Sequence, residues 1–250
     1  PGEVDPVHVA GPDQGPLLAA LAKDDGRLWI GEKSGLVALR WDSAASSWKP
    51  ELALPTLQGS SPRWIVNRVL GSSEEVVVFK SEASGSTLLQ LAHWTGTAWS
   101  VPLSTPVSGT TTRDERTFDV ELEQSSGHVL YVFADGSKRP RYATYDGSSW
   151  SAAAPLPVNA GSSAAPDLTH GVIRWVELAP RPSSDEIALI FAADDERLGA
   201  LLWDGSSWNS ASAKQITDEL RANGPRKYPA NRVADVAFED KNGEVLVAWG

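Results

Sequence analysis

The chain has 250 residues and carries 32 Asp and Glu against 22 Lys and Arg, a formal balance of −10. An acidic balance disfavours attraction to phosphate backbones, so nucleic acid is not an expected partner. With no cysteine there is no disulfide, thiolate ligand or cysteine nucleophile, and no apolar run approaches the roughly 18 residues that would span a bilayer.

Taken in chain order, short apolar stretches bounded by turn residues read as strands. The N-terminal segment 4–10 is one candidate. A first group follows at 17–21, 28–30 and 36–41, ending at Trp48. A second group lies at 64–66, 76–79 and 88–94, ending at Trp99. The third is the cleanest: Phe118-Asp119-Val120-Glu121-Leu122 alternates with period two, then come 129–133, 141–145 and Trp150. The fourth has 175–178, 187–191, 198–203 and Trp208. A fifth opens at 232–238 and 245–249.

These groups share a phrase. RWDSAASSW, HWTGTAW, TYDGSSW and LWDGSSW end at Trp48, Trp99, Trp150 and Trp208, with spacings of 51, 51 and 58 residues. Self-similarity at such a period marks a repeat architecture, in which each unit buries its apolar face against its neighbours. Asp-Gly in the last turn is a hairpin signal, read here as a type I′ turn with positive φ at both central residues. Four-stranded antiparallel units of this size predict a β-propeller.

The expected architecture is therefore all-β: a single domain over 1–250, with blades at about 15–55, 63–107, 116–157, 173–213 and 231–250. Segment 4–10 is expected to complete the fifth blade and close the ring; a longer array is the alternative. The insertion at 180–185 accounts for the longer fourth period. Residues 216–224 read as a short helix, with Thr217 as N-cap and Gly224 as stop. The chain starts at Pro1 and contains no methionine. That predicts a processed or excised product, with any signal peptide or anchor outside the sequence.

Two residue sets stand out as candidate binding groups. The hairpin aromatics Trp94, Trp99, Tyr145, Trp150, Trp203 and Trp208 fit either a stacking platform for sugar rings or a staple between blades. The arginines Arg63, Arg116, Arg174 and Arg232 each precede or open a first strand. They fit either an axial ring holding an anion or ion pairs with Asp119, Glu177 or Asp235 that tie blades together. No metal or cofactor is expected: His8, His93, His128 and His170 are scattered. The acidic runs 194–196 and 240–244 read as hairpin turns rather than calcium loops. No nucleophile elbow or phosphate-binding glycine loop is present.

The residues Tyr145-Asp146-Gly147-Ser148-Ser149-Trp150 and Trp203-Asp204-Gly205-Ser206-Ser207-Trp208 resemble the Asp-box of sialidase-type and lectin-type β-propellers, in shortened form with Asp and Gly adjacent. The resemblance to sugar-binding propeller lectins implies ligands held between adjacent blades by an arginine, a glutamate and an indole. The sialidase comparison implies a tyrosine nucleophile assisted by a glutamate, an aspartate acid/base and three arginines; Tyr228 beside Arg226, and Glu177 with Arg174, are the candidates, without a spacing that marks them.

The function expected from these readings is a non-enzymatic, extracellular or cell-surface propeller, of bacterial adhesin character. It would bind carbohydrate or another surface ligand at repeated inter-blade sites, where multivalency supplies avidity. A structural module making protein contacts or self-assembling is the alternative. A sialidase-like glycoside hydrolase is a second.

Overall fold

The computed structural model describes residues 7–11, 14–22, 27–32, 35–50, 58, 60–71, 74–83, 86–108, 115–158, 166–220, 233–239 and 241–250. Among them every regular element is a strand, and each strand pairs antiparallel with its neighbour in sequence. The first sheet runs β1 (Val7–Gly11), β2 (Gln14–Ala22), β3 (Arg27–Glu32), β4 (Gly35–Asp42) and β5 (Ser47–Pro50). The second has β6 (Ser60–Leu70), β7 (Glu74–Ala83), β8 (Ser86–Trp94) and β9 (Trp99–Val107). The third has β10 (Phe118–Leu122), β11 (Val129–Phe133), β12 (Arg141–Tyr145) and β13 (Ala154–Pro155). The fourth has β14 (Ile173–Pro180), β15 (Ile187–Ala193), β16 (Leu198–Trp203) and β17 (Trp208–Thr217). The fifth holds β18 (Ala234–Phe238) and β19 (Val245–Trp249). These sheets form two compact units, Pro1–Val107 and Ser108–Gly250.

Three sequence expectations are corrected. Val7–Gly11 does not complete the fifth sheet: it pairs with β2, with Val7 opposite Ala19 and Val9 opposite Leu17, and β19 pairs with β18. A short hairpin to the strand that follows it needs far less loop closure than a partner more than 200 residues away. Nor does a helix begin at Ile216. β17 runs through Thr217, whose hydroxyl does accept the Glu219 amide at 3.1 Å, but as a local turn that 218–220 do not continue; residues 221–224 lie outside the described set. The same side-chain geometry serves a cap or a turn, and the strand pairing decides. Finally, the Asp-Gly turns are not of type I′. Only the glycine takes positive φ, +88° at Gly147 and +92° at Gly205, where type I′ needs it at both central residues.

Period-two alternation gives each sheet two faces, and stacking buries them. In the first unit Trp29 and Ala38, on one face of the first sheet, pack against Ile65, Val77 and Phe79 of the second. In the second unit Leu130, Val132 and Ala134 of the third sheet meet Leu189, Phe191, Leu201 and Trp203 of the fourth. β18 in turn packs on β14 and β15, burying Ala234 and Val236. Each of these contacts sets the forward face of one sheet on the backward face of the next.

Gly205 carries two constraints. Its φ disfavours any side chain, and a Cβ would lie 2.7 Å from the Asp185 Cβ, whereas the same atom on Gly147 would meet nothing within 4 Å. Gly147→Ala should cost about 1–3 kcal/mol from backbone strain alone. Gly205→Ala should cost more, and paired denaturant titrations of the two variants check the order.

Candidate functional site

Each repeated phrase folds into one device, a hairpin whose two ends are clasped by facing aromatic rings. Trp41 faces Trp48, Trp94 faces Trp99, Tyr145 faces Trp150 and Trp203 faces Trp208. Ring centroids lie at 5.4, 5.5, 5.5 and 5.4 Å, with interplanar angles between 31° and 66°. Cross-strand aromatic pairs at this separation stabilise a hairpin beyond their burial. Packing is therefore one role of the repeated aromatics.

The turn between the rings is fixed by a carboxylate. Asp146 Oδ1 accepts the Ser148 and Ser149 amides, both at 2.9 Å, and the Ser148 hydroxyl at 2.7 Å. Asp204 repeats the arrangement with the Ser206 and Ser207 amides at 2.9 and 2.7 Å. Asp42 accepts the Ala44 and Ala45 amides and also pairs with Lys49. Bonds to the charged form favour it. The Ser148 hydroxyl first, and then the Ser149 and Ser148 amides, bring Asp146 down from 3.8 to about 2. The Ser207 amide leads the same effect on Asp204.

The clasps differ in what covers them. In the first unit, Trp29 of the first sheet stands edge-on to Trp99 of the second, at 5.3 Å and 89°. Its indole donates to Glu75 Oε1 at 2.5 Å, and the Asn67 amide reaches the same oxygen at 3.4 Å. Glu75 faces Trp94 across β7 and β8, so Glu75, Trp94 and Trp99 share one face of the second sheet. Trp94 and Trp99 remain half-buried. The second unit repeats the chemistry with different residues. Tyr142 of the third sheet stands edge-on to Trp208 of the fourth at 5.6 Å and 85°. Trp203 donates its indole N–H to Glu123 Oε1 at 2.7 Å, and the Ser126 hydroxyl donates to Oε2 at 2.6 Å. There both indoles are buried. Each of these two seams thus holds an aromatic cluster and a buried glutamate. Sequence reasoning missed Trp29, Glu75, Tyr142 and Glu123 as partners, since they come together only through sheet stacking.

Arg116 and Arg174 are engaged in ion pairs. Arg116 contacts Asp119 at 2.8 Å and Glu177 of the next sheet at 3.7 Å, and lies over the Trp175 ring at 5.4 Å. Arg174, almost fully buried, is held by Glu115 at 2.9 Å and Asp194 at 2.8 Å. Asp119 also accepts the Leu178 amide across the sheets. These two arginines therefore tie the third and fourth sheets together. Arg63 lies in β6 beside a bulge, with Trp64 at φ +55°. The Arg63 side chain, Arg232, Tyr228 and Arg226 lie outside the described residues. Of the acidic run 194–196, Asp194 is taken up by Arg174 and the Val172 amide.

The chain matches the fucose-specific lectin from Aleuria aurantia, in a mercury-derivative form, at 15% identity and a TM-score of 0.52, over 94% of this chain and 67% of that one. A mutant of that lectin in complex with α-methyl-L-fucoside matches at 16% and 0.53, over 95% and 67%. A third structure of the lectin, described as a six-bladed β-propeller with a novel fucose recognition mode, matches at 13% and 0.49, over 84% and 59%. At these identities the likeness is one of fold, and the chain spans about two thirds of the lectin's length. No family model matches the chain, and no curated protein matches it by sequence.

Two outcomes test the clasp and the seam. The depressed carboxyls contribute stability present above their ordinary value of 3.8 and lost as pH falls through about 2. The amide signals of Ser148, Ser149, Ser206 and Ser207 should shift together in that window and stay constant above it, as read by NMR titration. At the seam, Glu123→Ala strips the acceptor from the buried Trp203 indole and should destabilise the protein by roughly 1–3 kcal/mol. Chemical denaturation measures the loss; an unchanged midpoint contradicts the seam role.

Proposed function

We propose that the chain is a non-enzymatic, sugar-binding β-propeller whose sheets are its blades. In this reading it acts outside the cell or at the cell surface and uses the aromatic seams between sheets. The observation that carries the proposal is the face of the second sheet that holds Trp94 and Trp99. Two half-buried indoles at 5.5 Å, backed by Trp29, form an aromatic surface of the size a saccharide ring covers. Indole faces stack on the C–H face of a pyranose ring. The half-buried Trp150 over Tyr145 offers a second such surface on the third sheet. The Trp203–Trp208 pair, closed over by Tyr142, serves packing.

The fold shared with a fucose-specific lectin supports a saccharide as ligand and makes fucosides the first probes. Several weak sites on one chain would bind a multivalent glycan more tightly than a monosaccharide. The described carboxylates favour the hydrolase alternative least, because Glu177 is held by the Trp175 indole at 3.1 Å and by Arg116.

A glycan array followed by titration calorimetry with α-methyl-fucoside tests the reading. Binding is expected, and Trp94→Ala should weaken it about tenfold, equivalent to ~1.4 kcal/mol. Trp203→Phe, placed at the closed clasp, should leave affinity unchanged. Silence across a broad array would sink the proposal.

A further inference from the structure

We infer that the saccharide taken up at the second sheet is acidic, a pyranoside carrying a carboxylate or a sulfate, and that Arg40 of the first sheet selects it. This rests on the sugar-binding reading above and adds the group that chooses the ligand. Ala38 and Tyr142 stand at the same place in their sheets, each three residues before the first ring of its clasp, Trp41 and Tyr145. From there Tyr142 lies against both rings of the next clasp, Trp203 at 5.8 Å and Trp208 at 5.6 Å, and those indoles are buried. Ala38 faces the second sheet beside Trp29, packed against Ile65, Val77 and Phe79, but it offers only a methyl group. The clasp of that second sheet, Trp94 with Trp99, stays half-buried. A small side chain at one seam leaves ring surface that its counterpart covers at the other.

The edge of that surface is basic. Side chains alternate along a strand, so Arg40, two residues beyond Ala38 in β4, shares its face. Two residues advance a strand by about 7 Å, here toward the clasp end of the sheet. Lys49 of β5 pairs directly with Arg40, which sets both cations on the face turned to Trp94 and Trp99. Arg40 is exposed, and the Lys49 side chain is 57% exposed while it contacts Asp42. On the third sheet the place of Arg40 is taken by Thr144, whose hydroxyl bonds that of Ser151 at 3.4 Å. The cations therefore accompany the open clasp, and the neutral hydroxyls accompany the closed one.

A neutral pyranose needs only ring stacking and hydroxyl bonds, and neither calls for cations at the edge of the indoles. A guanidinium is a planar fork that matches a carboxylate with two parallel N–H···O bonds, and an ammonium adds a point charge beside it. Glu75 of the facing sheet does not compete for them, since it is buried and accepts from the Trp29 indole and the Asn67 amide. A ring stacked on Trp94 and Trp99, with its acidic substituent turned to the first sheet, would meet Arg40 with Lys49 alongside.

An array that pairs neutral glycans with their uronate and sulfated counterparts, probed with the whole chain, tests this. Acidic members are expected to bind about three- to tenfold more tightly at low salt, and the advantage should shrink as salt is added. A lead confined to uronates assigns the carboxylate, and one confined to sulfated glycans assigns the sulfate. Arg40→Gln, at an exposed position, should remove most of the preference, with Lys49→Gln as an independent variant. Trp94→Ala should weaken acidic and neutral glycans alike. Neutral glycans bound as tightly as their acidic counterparts, or a preference untouched by both Arg40→Gln and Lys49→Gln, overturns the inference and leaves the sugar-binding reading standing. Silence across the whole array overturns both.

Discussion

Among the described residues, the first four sheets depend on the aromatic clasp at the end of each outer hairpin. A two-stranded ribbon is marginal in water by itself. Here a carboxylate or hydroxyl fixes the turn, and two rings about 5.5 Å apart lock the strands that leave it. The clasp sets the register of the third and fourth strands, and register decides which side chains face the next sheet. Without it the rings that meet across the seams, Trp29 with Trp99 and Tyr142 with Trp208, would have no fixed partner.

The seams solve a problem that repetition creates. Stacked sheets bury broad apolar faces, yet the loops and first strands bring charged groups into the same space. Glu75, Glu123, Asp119 and Arg174 are all nearly or fully buried. Each is accommodated by a donor or acceptor from the facing sheet: an indole N–H, a backbone amide or an opposite charge. Buried charges left unmatched would cost several kcal/mol each, so these pairs also fix the angle at which sheets may meet.

Much of the fold is legible in the sequence, and the reason is local. Phe118–Leu122, Val129–Phe133 and Arg141–Tyr145 are strands with the bounds that alternation and turn residues imply, because both signals lie within a few residues of each other. What is not legible depends on distance. Trp203 and Glu123 stand 80 residues apart, and Trp29 and Glu75 stand 46 apart. No spacing rule connects them. The arginines are recognisable as a recurrent set, with Asp119 and Glu177 as candidate partners, but Glu115 and Asp194 reach Arg174 from 59 and 20 residues away. The turn type failed for a subtler reason: Asp146 uses its side chain to hold Ser148 and Ser149, which moves the positive φ to Gly147 alone.

Sheets that touch only their neighbours share stability unevenly. In such a stack each interior unit gains from two interfaces and each terminal unit from one. Among the described residues, the fifth sheet, with Leu246 and Trp249 turned to solvent, is held by its contact with β14 and β15. Its amides should open to hydrogen exchange by local fraying, long before the global unfolding that frees those of β15, where every residue is buried. Protection would then rise from β19 to β15, and a native-state exchange profile would read out how firmly the fourth sheet holds the fifth.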